Sequence, residues 1–396
     1  MVDKKNHSSI DFNNTEVAFA YKSDQELKQA LRLLSMMNQA WLVKLGTAVS
    51  VPAIKLGVPF VEKIVRNTIF DQFVGGTTLL ECQSTIDKLA AFNVQTILDY
   101  GAEGKETEED FNLTMNETIR AIEFASQNES VPYVSSKITG LARFGLLEHL
   151  HAEKPLNEGL QQEYENVLKR IDAICGVADL KGVGVYFDAE ESWIQKPIDD
   201  LVSQMMERYN KSKVVVGNTF QLYRIDRLPY LKASYERARE KGYLLGAKLV
   251  RGAYMNKERS RAERMGYPSP IQPNLEATNN AFNEAVRFCV DHYEQIGSCN
   301  ASHNLNSNRI QAELIAERNL PKDHPHLCFS QLYGMSDNLT FNLAKAGYNV
   351  AKYVPYGAVR DVIPYLARRA QENTAVTGDM SREYQLVLQE WKRRNA

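Results

Sequence analysis

Eight short runs rich in β-branched and aromatic residues recur along the chain between positions 94 and 354, with longer amphipathic stretches between them. This alternation constrains the fold more than any other feature, because parallel strands need a helical crossover between them. Eight strand–helix units over roughly 300 residues favour an α/β fold of the (β/α)8 TIM-like barrel type, with an active site at the carboxyl ends of the strands. The predicted strands are residues 94–99, 133–138, 183–188, 213–219, 243–250, 298–303, 327–332 and 349–354.

The first 90 residues follow a different pattern, which predicts helices ahead of the barrel. Ser23 and Glu26 stand at the spacing of a capping box, in which each side chain binds the backbone amide of the other residue. Apolar residues follow at helical spacing, namely Leu27, Ala30, Leu31 and Leu34. We therefore expect an N-terminal helical region over residues 1–90 and a catalytic barrel over residues 91–396.

Composition and charge exclude several kinds of function. The chain has 396 residues and a net charge of −2, with a pI of about 6.4, so it lacks the basic character that nucleic-acid binding requires. His324 and His326 form a pair without further ligands at metal-binding spacing, so we expect no metal site. The five cysteines are scattered and odd in number, which argues against a disulfide framework and for a reducing compartment; they are Cys82, Cys175, Cys289, Cys299 and Cys328.

The apolar stretches bear on the location of the protein. The first 14 residues lack an apolar core and carry an acidic residue near each end, so we expect no signal or transit peptide and a cytoplasmic protein. The longest nearly apolar stretch, residues 45–54, is about half the length that spans a bilayer. Residues 41–73 mix apolar and basic residues, which is compatible with peripheral association with the inner membrane. An amphipathic helix pair packed on the barrel is the ordinary alternative, and a catalytically silent protein that binds membranes through this segment is another.

A helical face near the C-terminus carries two adjacent arginines. Tyr365, Arg368, Arg369 and Glu372 recur at the i, i+3, i+4, i+7 spacing of one face. Two guanidinium groups on one rigid helix can grip the carboxylate of a free amino acid through paired, planar hydrogen bonds, which lysine cannot reproduce. The same spacing also describes a solvated face on which Glu372 pairs locally with both arginines, since charged residues are mostly exposed. The pattern alone leaves both interpretations open.

Polar residues cluster at or just after the ends of the predicted strands, where a barrel builds its active site. They are Lys137, Asp188, Gln221, Lys248, Arg251, His303, Asn304 and Gln331. Lys137 and Asp188 fall on neighbouring strands, where a buried lysine and a carboxylate can shift each other's pKa, although a structural salt bridge would give the same pattern. A strand-end lysine can also form a Schiff base with a carbonyl substrate. A Schiff-base lyase that uses Lys137 or Lys248 is therefore a competing hypothesis.

Five motifs, in order along the chain, resemble those of proline dehydrogenase. They are FDAEES at 187–192, KLVRGAYM at 248–255, SHN at 302–304, QLYGM at 331–335, and KYVPYG at 352–357 followed by PYLARRAQEN at 364–373. Each falls on a successive strand or helix, and the similarity runs from about residue 130 to the C-terminus. The last motif contains both arginines, so the resemblance favours carboxylate binding by that helix.

The resemblance implies FAD bound noncovalently on a distorted barrel, oxidation of L-proline to Δ1-pyrroline-5-carboxylate, and transfer of the electrons to a membrane quinone. Matched motif by motif, the residues implied to bind the substrate are Lys137, Tyr254, Leu332, Tyr353, Tyr365, Arg368 and Arg369. Those implied to bind the flavin are Phe187, Gln221, Lys248, Arg251, Gly252, Ala253, Ser302, His303 and Asn304, and catalytic roles fall to Asp188 and Lys248. Because no side chain accepts a hydride from the unactivated C5–H bond of proline, a cofactor must do so.

The chain also departs from the pattern of the related bifunctional bacterial enzymes. Those enzymes resemble RLVKGAYW at the second motif, so Lys248 and Arg251 exchange the two basic residue types, and Met255 replaces an aromatic residue expected to stack on adenine. Tyr353 stands where hydroxyproline-specific relatives carry a smaller residue, so we expect proline rather than hydroxyproline as the substrate. No second catalytic module fits into the remaining sequence, so we expect a monofunctional enzyme.

Overall fold

The computed structural model describes residues 10–37, 39, 53, 58, 61–375 and 379–396, without the side chains of residues 370–381. Within these residues eight parallel strands close into one barrel in sequence order. The strands are Gln95–Tyr100 (β1), Tyr133–Lys137 (β2), Gly184–Asp188 (β3), Val216–Gln221 (β4), Leu245–Val250 (β5), Ile296–Ala301 (β6), Leu327–Leu332 (β7) and Val350–Tyr356 (β8). The predicted (β/α)8 barrel is confirmed, and every strand expected from the sequence is present.

Helices surround this barrel and join its strands. The described α-helices are Thr15–Phe19 (α1), Asp24–Met37 (α2), Val61–Val65 (α3), Asp71–Phe73 (α4), Leu79–Ala90 (α5), Glu108–Ala125 (α6), Phe144–His151 (α7), Glu158–Lys181 (α8), Ser192–Tyr209 (α9), Arg227–Lys241 (α10), Met255–Met265 (α11), Leu275–Asp291 (α12), Leu305–Glu317 (α13), Asp337–Lys345 (α14), Val359–Ala375 (α15) and Asp379–Arg394 (α16). Short polar side chains begin several of them, as where Asn157 Oδ1 accepts a 2.9 Å hydrogen bond from Leu160 N.

The strands are buried on both faces, which explains why they read as nearly continuous apolar runs in the sequence. Val185 of β3 and Phe329 of β7, for example, belong to the main core between the barrel and the helices. A smaller apolar cluster fills the inside of the barrel and consists of Ile97, Tyr186, Cys299, Cys328, Ala351 and Tyr353. All five cysteines are buried and free.

Most strand ends lie within one to three residues of the prediction, and two of the differences have an identifiable cause. β4 begins at Val216 rather than at residue 213, because the Asn210 side chain accepts hydrogen bonds from Val215 N and Val216 N at 2.9 and 2.8 Å and fixes the incoming loop. β6 ends at Ala301 rather than at residue 303. Residues 302 and 303 therefore lie in the loop at the barrel mouth, where their side chains are free to turn towards other elements.

The N-terminal helices pack onto the barrel. The capping box predicted at α2 is confirmed, with Ser23 N donating to Glu26 Oε2 at 2.7 Å and Glu26 N donating to Ser23 Oγ at 3.2 Å. Tyr21 lies between α1 and α2, where its hydroxyl donates a 2.6 Å hydrogen bond to Asp337 and its ring stacks on Phe341 of α14 with centroids 4.3 Å apart. The helices before β1 are thus joined to the outer layer of the barrel.

Much of the segment considered for membrane association, residues 41–73, lies outside the described residues. From Val61 onward it is helical, with a π-helical turn at Arg66–Phe70 between α3 and α4. None of the helices within the described ranges combines the length and the apolar character needed to cross a bilayer.

Candidate active site

A carboxylate at the end of β3 forms the centre of the site. Asp188 pairs in register with Lys137 at the end of β2, and Lys137 Nζ lies 3.6 Å from Asp188 Oδ2. Asp188 Oδ1 accepts hydrogen bonds from Ser135 Oγ at 2.8 Å and from Lys248 Nζ, while Oδ2 accepts one from Tyr353 OH at 2.7 Å. Side chains from β2, β3, β5 and β8 thus meet at one group, although they lie far apart in the sequence.

The two lysines hold Asp188 in its ionised form. Burial alone would raise the pKa of Asp188, but the charges of Lys248 and Lys137 outweigh it and hold that pKa well below its usual range. Lys137 Nζ also lies 3.3 and 3.2 Å from the two oxygens of Asp99, whose pKa burial raises to about 6. Burial would lower the pKa of Lys137, but the attraction of Asp99 and Asp188 raises it above its usual value. Lys137 is therefore a fixed positive charge at neutral pH.

The two predicted carboxylate-binding arginines lie on α15 and turn towards the protein. Arg368 forms a two-pronged ion pair, with Nη1 and Nη2 2.7 and 3.0 Å from the two carboxylate oxygens of Glu103, which lies in the loop after β1. Arg369 is only 6% exposed, and its guanidinium lies 5.0 Å from the ring centroid of Tyr365. The solvated-face alternative is therefore wrong for both arginines. The side chain of Glu372 lies outside the described residues.

The arginine helix and the lysine–carboxylate cluster belong to one site. The Arg368 guanidinium lies 5.8 Å from the ring centroid of Tyr254, which follows β5 and is buried. Glu103 acts to raise the pKa of Lys137, and Arg368 acts to lower it, because charges this close interact in a poorly solvated site. Arg368 therefore lies at the mouth of the barrel, close to the charged cluster of Asp188, Lys137 and Lys248, which we call the floor of the site.

The residues implied to bind the flavin follow β4, β5 and β6. Arg251 is held by Asn279 Oδ1, which lies 3.0 Å from Nε and 2.8 Å from Nη2, and by Ser302 Oγ, 2.5 Å from Nη1. Gly252 has φ +136°, and a Cβ added there would lie 2.4 Å from the Tyr223 ring, so only glycine fits this turn. The Tyr223 ring thus packs directly against the backbone after β5.

Two further polar side chains, His303 and Gln221, complete this part of the mouth. Burial, reinforced by the positive charges of Lys352, Arg369 and Arg251, lowers the pKa of His303 to about 3, so its imidazole is neutral. Gln221, at the end of β4, is buried, and its Oε1 has no hydrogen-bond partner among the described residues. An unsatisfied buried acceptor is costly, and a donor on a ligand would satisfy it.

Other residues selected from the sequence lie in different surroundings. The Phe187 side chain packs in the core between the barrel and the helices, and Asn304 Oδ1 accepts a 3.0 Å hydrogen bond from Ser307 N as the N-cap of α13. Leu332 ends β7 beside the apolar cluster inside the barrel. Gln331 Nε2 donates to Ser302 O at 3.1 Å and so supports the loop after β6. Ala253 is exposed next to Gly252.

Comparison with known proteins identifies the family. The family model described as proline dehydrogenase matches residues 82–382, well over half of the chain. This chain belongs to the proline dehydrogenase family. Carbapenem antibiotics biosynthesis protein CarD of Pectobacterium carotovorum subsp. carotovorum is 32% identical over 322 residues, 81% of this chain and 83% of that protein.

Two further relatives and one solved structure are also similar to this member of the proline dehydrogenase family. Mitochondrial proline dehydrogenase 1 of Drosophila melanogaster is 36% identical over 63% of this chain, but the match spans only 38% of the fly protein. Hydroxyproline dehydrogenase of Xenopus laevis is 31% identical over 95% of this chain and 88% of that protein. Proline utilization A from Bdellovibrio bacteriovorus has the same fold, with a TM-score of 0.75, 19% identity, and coverage of 93% of this chain and 42% of that one.

Several site residues of this proline dehydrogenase family member carry no sequence signal. Ser135 begins the short polar run that ends β2, Asp99 is a lone carboxylate near the end of β1, and Glu103 lies in a charged loop that resembles any solvated turn. Their partners are distant in sequence, since Glu103 and Arg368 are 265 positions apart. The only available clue was position, because β1 and β2 end at the same rim as the other strands.

Glu190 is a further buried acid at this rim. It is 3% exposed, its Oε1 accepts a 3.0 Å hydrogen bond from Thr139 N, and its Oε2 lies 2.5 Å from Thr139 Oγ1. Burial raises the pKa of Glu190 to about 8, with smaller contributions from the negative charges of Glu191 and Glu103. The side chain is therefore mostly protonated at neutral pH.

The raised pKa of Glu190 predicts that stability decreases as the pH rises towards 8. The folded-state pKa of about 8 exceeds the unfolded value of about 4.3, so the stabilising contribution is complete below the unfolded value and disappears as pH rises through 8. We expect the Tm of the wild type to fall between pH 6 and pH 9, and that of Glu190→Gln to fall less. Glu240→Gln, at an exposed position of α10, is the matched control. Parallel Tm curves for the wild type and Glu190→Gln would contradict the prediction.

Proposed function

We propose that this chain oxidises L-proline to Δ1-pyrroline-5-carboxylate with FAD as the hydride acceptor. The observation that carries the proposal is the inward-facing arginine pair of α15, above a floor made by Asp188, Lys137 and Lys248. Membership of the proline dehydrogenase family supports it. The chain spans only about two fifths of the fly and nematode relatives, so activity, substrate and partners belong to this proposal.

The residues at the mouth suit a flavin. The unpaired, buried Oε1 of Gln221 would accept a hydrogen bond from an N–H donor of the flavin. When bound, FAD supplies an acceptor for a hydride, which no side chain can provide. Lys248 and Arg251 add positive charge on this side, and fixed charges of that sign stabilise negative charge that develops during reduction.

The arginine face suits the carboxylate of proline. Arg368 already grips a carboxylate with two nearly equal contacts to Glu103, at 2.7 and 3.0 Å. A substrate carboxylate would take the place of, or share, that ligand, with Arg369 and Lys137 as further cations. Because the proline ring is small and rigid, holding its carboxylate fixes the direction of its C5–H bond. Tyr254 and Tyr365 are both buried at this level and would exclude water from the reacting carbon.

The floor of the site has a separate role in the proposal. Asp188 binds Lys248 and the Tyr353 hydroxyl directly, and it lies within 3.6 Å of Lys137. It therefore keeps two cations and one ring in fixed positions while the substrate reacts. We assign to Asp188 and Lys248 the task of setting the local charge of the site that would receive the hydride acceptor, rather than of forming a bond to the substrate.

The Schiff-base lyase is the weaker alternative. A lysine that attacks a carbonyl must lose its proton, whereas the pKa of Lys137 is raised by Asp99 and Asp188. Lys248 is ion-paired with Asp188 and only 3% exposed, which leaves little room for an attached substrate. Borohydride trapping of a carbonyl compound on either lysine would revive the lyase hypothesis.

Hydroxyproline is the second candidate substrate, because the Xenopus relative is a hydroxyproline dehydrogenase that matches most of the chain. We favour proline because the Tyr353 ring stands at the site with its hydroxyl fixed on Asp188. Tyr353→Ser should shift the ratio of kcat/KM values towards 4-hydroxyproline by about 10-fold, measured with both substrates. Tyr353→Phe, which keeps the ring, should retain the preference for proline. An unchanged ratio in the serine variant would refute the steric explanation.

The remaining expectations stay proposals. We propose a quinone as the final electron acceptor, reached through peripheral contact with the inner membrane, and a cytoplasmic location. We also propose that residues 91–396 form the FAD-binding catalytic barrel, while residues 1–90 supply helices that brace it. The contact of Tyr21 with Asp337 supports this division of roles.

A visible spectrum tests the proposed function. Purified protein loaded with FAD should show a flavin absorption band that bleaches when L-proline is added without oxygen, and the product should have lost two hydrogens by mass spectrometry. D-Proline, with the same charge and size, is the control. Protein that binds no flavin, or a flavin band that L-proline leaves unchanged, would overturn the proposal.

A further inference from the structure

A chain of contacts runs from the C-terminal helix to His303. Glu383 of α16 is buried, and its Oε2 accepts a 3.0 Å hydrogen bond from Ser336 N. Ser336 Oγ lies 2.9 Å from His303 Nδ1. Glu383 is thus two contacts away from a residue at the barrel mouth, although it lies 80 positions further along the chain.

The turn that contains Ser336 needs support from outside. Ser336 has φ +52°, in the left-handed region that is disfavoured for residues with a Cβ, and such a conformation persists only where the surroundings enforce it. Gly334, in the same turn, has φ +76°, and a Cβ there would lie 1.9 Å from Gln72 O. The Gln72 side chain donates a 2.8 Å hydrogen bond to Gly334 O. The turn between β7 and α14 is therefore held from two sides.

Charged neighbours fix Asp337, the first residue of α14, directly after this turn. Asp337 accepts a 2.6 Å hydrogen bond from Tyr21 OH, lies 2.8 Å from Lys352 Nζ and 3.9 Å from Lys22 Nζ. All of these groups are buried or nearly so. The turn thus joins residues from both ends of the chain to β8, and a shift of the backbone at Ser336 would disturb a whole ion-paired cluster.

We infer that Glu383 is a positioning residue for the flavin site, acting through Ser336 on His303. The neutral imidazole of His303 has one donor and one acceptor nitrogen, and the hydroxyl contact at Nδ1 sets the orientation of the ring and leaves Nε2 for a ligand. Without the Glu383 carboxylate, Ser336 N would be a buried donor without its partner, and the turn would relax away from His303. The inference rests on the proposed function, because it takes FAD as the ligand that His303 meets.

Paired substitutions at Glu383 separate hydrogen bonding from simple loss of charge. Burial, with repulsion from Asp337, raises the pKa of Glu383 to about 7, so glutamine is a close substitute that keeps an acceptor for Ser336 N. We expect Glu383→Ala to weaken FAD binding by about 10-fold, and Glu383→Gln to bind within about threefold of the wild type. Glu390→Gln is the matched control, since Glu390 is buried on the same helix and pairs with Arg393 and Arg394.

The measurement is titration of flavin-free protein with FAD, followed by the visible circular dichroism of the bound flavin at saturation. Glu383→Ala and Ser336→Ala should share an altered dichroism band that Glu390→Gln lacks. Their double variant should bind FAD no more than about twofold more weakly than the poorer single variant, because both act on one contact. If Glu383→Ala does not fold, Ser336→Ala alone must show the loss of affinity.

The outcomes distinguish this role from the proposed function. A wild-type protein that binds no FAD would defeat both. Wild-type FAD binding that is unchanged in folded Glu383→Ala or Ser336→Ala, or losses that multiply in the double variant, would overturn the role of Glu383 and leave the proposed function standing.

Discussion

Arg368→Lys should raise the KM for L-proline by about 10- to 100-fold while kcat changes little. The guanidinium of Arg368 presents two donors that lie 2.7 and 3.0 Å from the two oxygens of a carboxylate, as its pair with Glu103 shows. Lysine keeps the charge but offers a single ammonium on a flexible stem, so the paired geometry is lost. Because the proposed clamp would hold the carboxylate equally before and during the reaction, the loss should fall on substrate binding.

Arg360→Lys provides the matched control for this prediction. Arg360 lies on the same helix, but its side chain is 80% exposed, so the exchange should leave both kinetic constants unchanged. Steady-state kinetics with an artificial electron acceptor measures KM and kcat for the three proteins. A KM for Arg368→Lys equal to that of the wild type would show that Arg368 serves only to bind Glu103.

The barrel could be predicted from the sequence because its strands are buried on both faces. Strands of this kind appear in the sequence as nearly continuous apolar runs. The number of strands, and their order along the chain, can therefore be read from these runs. The errors arise where tertiary contacts override local pattern. β4 starts late because the Asn210 side chain occupies the amides of Val215 and Val216, and β6 ends early because Ser302 and His303 turn to bind Arg251 and Ser336.

The site was only partly predictable for a related reason. Asp188, Lys248 and the two arginines lie in motifs whose spacing and resemblance select them. Glu103 and Ser135 lie outside the five motifs, and Glu190 lies within FDAEES without a spacing that marks it. What makes them site residues is contact with a partner from a distant part of the chain. The pair of Arg368 and Glu103 illustrates this, since α15 meets the loop after β1 only once the barrel has closed.

Asp188→Ala should be the most damaging single change in the cluster. Asp188 is the shared counter-charge of Lys248 and Lys137 and accepts a hydrogen bond from Tyr353. Removing it leaves two buried ammonium groups short of a partner, which costs about 3–5 kcal/mol of unfolding free energy. Turnover should fall by at least about 100-fold, because fixed charges at the reacting centre are displaced. Urea unfolding and steady-state kinetics measure the two effects.

A second substitution separates the structural role of Asp188 from its role in turnover. Lys248→Met in the Asp188→Ala background removes one of the unpaired cations and replaces a buried ion pair by apolar groups, which is often neutral for stability. The double variant should therefore recover much of the unfolding free energy and none of the turnover.

Because the pKa of Asp188 is depressed in the folded protein, the stabilising contribution of this carboxylate is present above its unfolded pKa of about 3.9 and is lost as pH falls through its folded pKa. The stability difference between the wild type and Asp188→Ala should accordingly narrow at low pH. Recovery of turnover in the double variant would show that Asp188 matters only for folding.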